Sequence, residues 1–356
     1  MTRCEHLDLV PYRLPLRRPW ASAHGRFSAR CGWLVIARAG SACGYGDCAP
    51  LPAAGTETPT AAEARLRGYR TWLPGIDLEE ALLEFRRPPR GTTPAADYAL
   101  DCALSDLASR LAGTSLRRWL EVRAGDSVPV NGALGPVMET SPGDLTRYAL
   151  GGYRVLKLKI GIAPPDQELR RLRELALVLP DGSSLRLDAN GAWDLDTATQ
   201  VIQALADLPI EGLEEPLHRP AWSALARLQS LAPFPLALDE SLSTQAHTLD
   251  PTRLPVRRVI LKPAVIGGLH RTLTLARRLQ TAGVEVVVTS LIESAAGLWP
   301  TTQLAAAIAG TIPHGLATAD WLAEDLGPPP MPQHGKIRLI DSTGSGFTPD
   351  RPNPDR

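Results

Sequence analysis

The sequence predicts an α/β protein built on a parallel barrel of about eight strands, of the TIM type, preceded by a smaller α+β region. From Val128 onward, short apolar runs alternate with longer amphipathic ones at a spacing of about 25–30 residues, the rhythm of βαβ crossovers. The first ~125 residues lack that rhythm, and 356 residues exceed the usual size of one hydrophobic core. No Gly-x-Gly-x-x-Gly follows any of the apolar runs, which disfavours an open dinucleotide-binding sheet.

In the leading region, Leu7 to Leu16 and Gly32 to Ala39 read as strands and Gly44-Tyr45-Gly46 as a turn. Ala95 to Leu111 reads as an amphipathic helix, with Leu100, Leu104, Leu107 and Leu111 in line and Gly113 at its end. The barrel runs are Val128 to Asn131, Tyr153 to Gly161, Ser184 to Asp188, Gly212 to Glu215, Pro235 to Asp239, Val256 to Lys262 and Val284 to Ser290, with a last one near His314. Most are rich in Val, Ile and Leu and too short for helices, as buried parallel strands are. Between them, Asp166 to Leu179 places Leu169, Leu172, Ala176 and Leu179 on one face. Asp194 can cap a helix running to Leu205, and Leu269 to Leu279 forms another that stops at Gly283. The expected division is 1–125 for the α+β region, 126–320 for the barrel and 321–356 for a closing segment. Its end, Pro349 to Arg356, is expected to be disordered.

Thirty-eight basic and thirty-eight acidic residues leave no net charge. That argues against a nucleic-acid or anionic-membrane partner. No apolar run reaches the ~18 residues of a membrane span, and Met1 to Leu16 carries no signal-peptide core, so a cytoplasmic protein is expected. Five cysteines without a Cys-x-x-Cys pair fit a reduced protein with no structural zinc. Cys43 and Cys48 lie close in sequence, but the glycine-rich turn accounts for the segment better than a disulfide or a metal site does. His218, His247 and His270 fall in loops or at helix starts.

Only four of the basic residues are lysines: Lys157, Lys159, Lys262 and Lys336. Arginine keeps its proton near neutral pH, whereas a buried lysine can release it, so lysines that survive such a bias are candidates for proton transfer. Three of them stand at strand ends. The second run ends Lys157-Leu158-Lys159, the third at Asp188, the fourth at Glu214-Glu215, the fifth at Asp239-Glu240, the sixth at Lys262 and the seventh at Thr289-Ser290. In a parallel barrel these C-terminal strand ends share one mouth, where active sites lie. Each such residue alone is an ordinary cap or surface charge; six in this order are not. Lys157 and Lys159 share a strand face, and two close ammonium groups disfavour each other's charge, which is expected to lower a lysine pKa. Three acidic strand ends repel unless a cation lies between them, and hard oxygen donors without His or Cys point to Mg²⁺.

These motifs identify a resemblance. Lys157-Leu158-Lys159, Leu187-Asp188-Ala189-Asn190, Leu213-Glu214-Glu215-Pro216, Leu238-Asp239-Glu240-Ser241, Ile260-Leu261-Lys262-Pro263 and Thr289 to Ser294 resemble the enolase superfamily, in its muconate-lactonizing subgroup. Gly44 to Pro52 is similar to that family's capping-domain loop, although Gly46-Asp47 stands where Gly-Glu is frequent. The resemblance runs roughly from Tyr12 to Asp325 and is strongest to the o-succinylbenzoate synthases. It implies a modified (β/α)7β barrel under an α+β cap. It also implies Lys159 as general base, Lys262 as the opposing cation or second acid–base group, and Asp188, Glu214 and Asp239 as ligands of Mg²⁺. Lys157 and Arg186 would assist, Asn190 would support the site, and Thr289 and Ser290 would meet a small carboxylate substrate. His24, Arg26 and Tyr45 of the cap would shape specificity. The activity implied is dehydration through an enediolate, in menaquinone biosynthesis.

The same two-lysine mouth serves N-acylamino acid racemases, dipeptide epimerases and muconate cycloisomerases. Similar dipeptide epimerases carry Asp-x-Asp near the eighth strand, where this chain reads His314-Gly315-Leu316-Ala317-Thr318-Ala319-Asp320-Trp321. A Schiff-base aldolase using Lys159 or Lys262 is a different class, and it would have no use for the three acidic strand ends.

Overall fold

The structure, a computed structural model, describes residues 2–22, 25–89, 91–218, 220–242 and 249–350. His24, His247 and residues 351–356 lie outside them, and the side chain of Arg26 is not described.

The chain begins with an antiparallel sheet, β1 (His6–Ser22), β2 (Gly25–Ala39) and β3 (Ala42–Cys48), followed by α1 (Pro59–Trp72), α2 (Leu78–Arg86), α3 (Pro94–Leu111) and α4 (Leu116–Leu120). The Gly44-Tyr45-Gly46 turn is not seen, because these residues lie inside β3, paired with β2. The glycines serve close approach instead: a Cβ on Gly44 or Gly46 would collide with the carbonyl oxygens of Ala103 or Ala99 on α3. That helix is correspondingly buried from Ala95 to Ser109 on every side. Leu111 departs from the predicted stripe and is 47% exposed, since the packing ends before the last turn.

Next come β4 (Ser127–Pro129) and the barrel: β5 (Gly132–Pro136), α5 (Pro142–Leu150), β6 (Val155–Lys159), α6 (Pro165–Leu177), β7 (Ser184–Asp188), α7 (Leu195–Leu205), β8 (Ile210–Glu214), α8 (Trp222–Leu231), β9 (Leu236–Leu238), β10 (Arg258–Leu261), α9 (Pro263–Ile266), α10 (Leu269–Thr281), β11 (Glu285–Val288) and α11 (Ala295–Ile308). Strands β5 to β11 form one sheet in sequence order, and every pair is parallel. The eighth stave is reduced to His314-Gly315. His314 bridges Val130 beside β5, and Gly315 bridges Thr289 beyond β11, which closes the ring. The first barrel strand therefore begins later than predicted. Ser127–Pro129 pairs antiparallel with β12 (Lys336–Arg338) of the closing segment, so only Val130 of the predicted run bridges the last stave.

Helix caps follow the predicted chemistry. Asp194 accepts a hydrogen bond from the Thr197 amide at 2.8 Å and starts α7, as a short acceptor at the N-cap does. Ala237, Ile260 and Val287 form an apolar plug across adjacent strands, with Ile312 against it. Phe347 of the closing segment is fully buried and packs edge-on against Tyr45 at 5.4 Å between ring centroids. Among the described residues no helix is long and apolar enough to cross a membrane.

The close packing of β3 on α3 carries a prediction. Gly46→Ala should lower the unfolding free energy by about 1–3 kcal/mol, the cost of over-packing a rigid contact, read as a fall in the urea midpoint.

Candidate active site

Register sets the level of the first charged groups. Lys159 is opposite Asp188 and Asp188 opposite Glu214, so the last residues of β6, β7 and β8 stand in one row. Asp239 follows β9 directly, and Lys262 follows β10 and caps α9. In the sheet, β6 and β10 are separated by β7, β8 and β9, so the carboxylate-bearing strands lie between the two lysine-bearing ones. The mouth thus gathers Lys157, Lys159, Asp188, Glu214, Asp239 and Lys262.

All three carboxylates are buried. The Lys157 ammonium donates to Glu214 and lies 3.0 Å from Asp188 Oδ2. Lys262 Nζ lies 2.7 Å from Asp239, and Lys159 Nζ is 3.8 Å from Asp188 Oδ2. Burial pushes the Asp188 pKa up, but Lys157 and Lys159 outweigh it and leave it low. At Glu214 burial wins over Lys157 and the pKa is raised. At Asp239 burial wins over Lys262 and pushes it up to about 6. The expected lowering of a lysine pKa is not found at Lys157. Burial favours its neutral form, but the Asp188, Glu214 and Asp239 charges overcome that and raise its pKa. Three nearby anions outweigh one neighbouring ammonium group.

Arg186 is not at the mouth. It is fully buried and starts level with Lys157, two residues before Asp188, but its side chain is spent on partners away from the carboxylates. Its Nε and Nη2 donate to Glu211 at 2.8 and 3.1 Å, and its Nη1 donates to the Pro313 carbonyl at 2.9 Å and to Asn131 Oδ1 at 3.3 Å. Glu211 also accepts from Arg258, which reaches Glu285 at 2.8 Å. This network is a charged floor spanning β7, β8, β10 and β11, and it supports the barrel rather than a substrate. Gly212 fits the same floor, because a Cβ there would meet the Arg258 guanidinium. His314 is buried beside it, and burial together with Arg186 lowers its pKa to about 3, so it is neutral and accepts from the Val288 amide.

Asn190 accepts from Lys159 Nζ at 2.6 Å and donates to Glu240 Oε1 at 3.1 Å. Glu215 follows β8 directly, with left-handed backbone at φ 42°. Its carboxylate accepts from the amides of Asp239 at 2.7 Å and Ser241 at 3.3 Å and from the Ser241 hydroxyl. Burial pushes its pKa up to about 7. Sequence reasoning assigned no work to Glu215 or Glu240; their place beside Glu214 and Asp239 was the available signal. Thr289 Oγ1 is buried and without a hydrogen-bond partner among the described residues, whereas the Ser290 hydroxyl is bonded to that of Thr318 at 2.6 Å.

The cap is fastened to this end of the barrel by buried polar contacts. Asp47 accepts from Tyr12 Oη at 2.5 Å and from both the amide and the hydroxyl of Ser294 at 2.8 Å. Arg30 donates to the carbonyls of Ile292, Ala49 and Pro50. A small cleft joins Ala54 of the cap to Asp239, Glu240 and Lys262.

The donor set fits a hard divalent cation: Asp188 and Glu214 side by side, Asp239 two residues beyond their level at the next strand end, and Glu214 Oε1 buried and lacking a hydrogen-bond partner among the described residues. Among the same residues no three acidic, imidazole or thiol groups stand close enough together to hold a metal ion as they are placed. The lysine ammonium groups occupy carboxylate oxygens, and a divalent ion would have to compete with them for those oxygens.

Residues 144–353 match the family model of enolase C-terminal domain-like proteins. The chain belongs to the enolase superfamily. As a member of that superfamily it is an enzyme. An o-succinylbenzoate synthase of Desulfotalea psychrophila is 30% identical over 268 residues, covering 72% of this chain and 71% of that one. One of Yersinia pseudotuberculosis is 28% identical over 317 residues, covering 88% and 90%. Muconate lactonizing enzyme from Pseudomonas fluorescens, solved with muconolactone, superposes with a TM-score of 0.86 at 24% identity over 98% of this chain and 97% of that one, which bears on the fold alone. A dipeptide epimerase from Methylococcus capsulatus, solved with Mg and the dipeptide L-Arg-D-Lys, gives 0.86 at 27% identity, covering 97% and 99%. Against this superfamily, the predicted cap and modified barrel are both found, the eighth stave being the short His314-Gly315 pair.

The placement of Arg186 is testable. Arg186→Met should destabilise the fold by about 3 kcal/mol, because it removes a fully buried cation and leaves the partly buried Glu211 short of one partner. A lower activity with an unchanged urea midpoint would put Arg186 at the mouth instead.

Proposed function

We propose that this enzyme is a magnesium-dependent o-succinylbenzoate synthase, dehydrating 2-succinyl-6-hydroxy-2,4-cyclohexadiene-1-carboxylate in the cytoplasmic synthesis of menaquinone. The observation that carries the reading is the mouth itself, with lysines on β6 and after β10 on either side of three acidic strand ends. The synthases among its relatives, at 28–30% identity, support the substrate.

Asp188, Glu214 and Asp239 would hold the cation, which when bound neutralises the substrate carboxylate and the charge that develops on it. Lys159, as the free amine, removes the proton alpha to that carboxylate, breaking the C–H bond. Lys262 places its positive charge across the mouth, where it offsets the anionic character of the carboxylate as the proton leaves. The β C–O bond then breaks, the proton on Lys159 goes to the departing hydroxyl, and water and an aromatic ring result. One lysine thus serves as base and then as acid on the same face. Thr289 Oγ1, a buried donor, is available to a substrate oxygen.

Epimerisation of N-acylamino acids or dipeptides is the second reading, favoured by the dipeptide epimerase at 27% identity. Against it, residues 314–321 hold Asp320 but no Asp-x-Asp.

Progress curves for the cyclohexadiene substrate should show rapid turnover with Mg²⁺, none with excess EDTA, and a loss of about 10³-fold or more in Lys159→Ala. No turnover, together with deuterium exchange at the alpha carbon of a dipeptide in D₂O, would replace the synthase by the epimerase.

A further inference from the structure

We infer that Glu240 is a positioning residue that fixes the orientation of the Asn190 amide and, through it, the place of the Lys159 amine; the inference rests on the reading of Lys159 as the base. Lys159 Nζ lies 2.6 Å from Asn190 Oδ1, and Asn190 Nδ2 lies 3.1 Å from Glu240 Oε1. An ammonium group only donates, a free amine whose lone pair is kept for the substrate proton offers the amide only its N–H, and a carboxylate only accepts. An amide between the two has a single favourable orientation, since a flip sets its NH₂ against the ammonium and its carbonyl against the carboxylate. The rest of Asn190 is already held: its amide donates to Asp188 Oδ1 at 3.1 Å, and its backbone is left-handed at φ 45°. Rotation of the terminal amide is the freedom that Glu240 removes.

Glu240 is itself well anchored. It opens the short turn Glu240–Leu242 after β9, and the amides on either side of it, those of Asp239 and Ser241, donate to Glu215. Glu215 belongs to the end of β8, Glu240 to that of β9, Asn190 to that of β7 and Lys159 to β6. Three strand ends, those of β6, β7 and β9, are thus linked side chain to side chain, and Glu215 of the fourth holds the backbone on either side of Glu240. Lysine has a long flexible stem, and a base displaced by ~1 Å can lose about 10²-fold in rate, so an oxygen fixed in space is what holds the amine on target.

The test exchanges donors for acceptors at constant shape. Wild type, Lys159→Ala, Glu240→Gln, Asn190→Asp and the double variant Asn190→Asp/Glu240→Gln are assayed on the cyclohexadiene substrate, or by alpha-deuterium exchange of a dipeptide if only that occurs. Far-UV circular dichroism verifies folding. In the wild-type background, Glu240→Gln should lower kcat about tenfold with KM changed less than about twofold, because a glutamine accepts either face of the Asn190 amide. Asn190→Asp should also lower kcat, since it sets two carboxylates against each other. Adding Glu240→Gln to Asn190→Asp should then raise kcat, because the glutamine donates to the new carboxylate and leaves its other oxygen to Lys159. The same substitution would therefore have opposite signs in the two backgrounds. A loss of similar size in both backgrounds, or no effect in either with Lys159→Ala inactive, overturns the inference and leaves the base assignment standing. Full activity in Lys159→Ala overturns both.

Discussion

Carboxylates carried at the ends of neighbouring parallel strands cannot all remain ionised and buried without compensating cations, because desolvation and mutual repulsion both disfavour their charge. Asp188, Glu214 and Asp239 are in that position. The protein meets the constraint with Lys157 between Asp188 and Glu214, Lys262 on Asp239 and Lys159 a little further from Asp188. The balance is incomplete, since Glu214 and Asp239 are still pushed toward protonation. A site so arranged favours a further positive charge and an anionic ligand to accompany it. The same groups that solve the electrostatic problem of the fold are the ones to which the proposed alpha-proton chemistry is assigned.

The floor and the lid of the barrel solve related problems differently. Below the mouth, Arg186, Glu211, Arg258 and Glu285 alternate in sign and satisfy one another, which makes a rigid layer with no demand for outside charge. Above it, the cap is tied on through neutral carbonyls around Arg30 and through Asp47, which accepts from Ser294 just ahead of α11. Glycines at 44 and 46 let the cap sheet lie directly on α3. The cap therefore rests on a fixed base.

Much of this was legible in the residues. Apolar runs ending in charge located most of the barrel strands, and the charged residues at their ends located the mouth. The misreadings share a physical cause, which is that partners distant in sequence decide them. Ser127–Pro129 looks like a barrel strand but pairs with Lys336–Arg338 two hundred residues on. Gly44 and Gly46 read as a turn because a helix fifty residues later takes the place of their side chains. Arg186 lies only two residues before Asp188, yet its target, Glu211, is presented by the next strand and points it to the floor. The Lys157–Lys159 pair was weighed against itself, whereas the carboxylates that govern Lys157 come from three other strands. The Glu240–Asn190–Lys159 chain needs side-chain distances and could not be read from spacing.

The central claim is that the row of Asp188, Glu214 and Asp239 binds one divalent cation. Calorimetric titration of the purified enzyme with Mg²⁺ tests it without reference to any substrate. One ion per chain is expected, with affinity lowered at least about tenfold by Asp188→Asn, Glu214→Gln or Asp239→Asn and little changed by Glu211→Gln in the floor. Mg²⁺ binding that is indifferent to all three mouth carboxylates, or an absence of binding, would contradict the account.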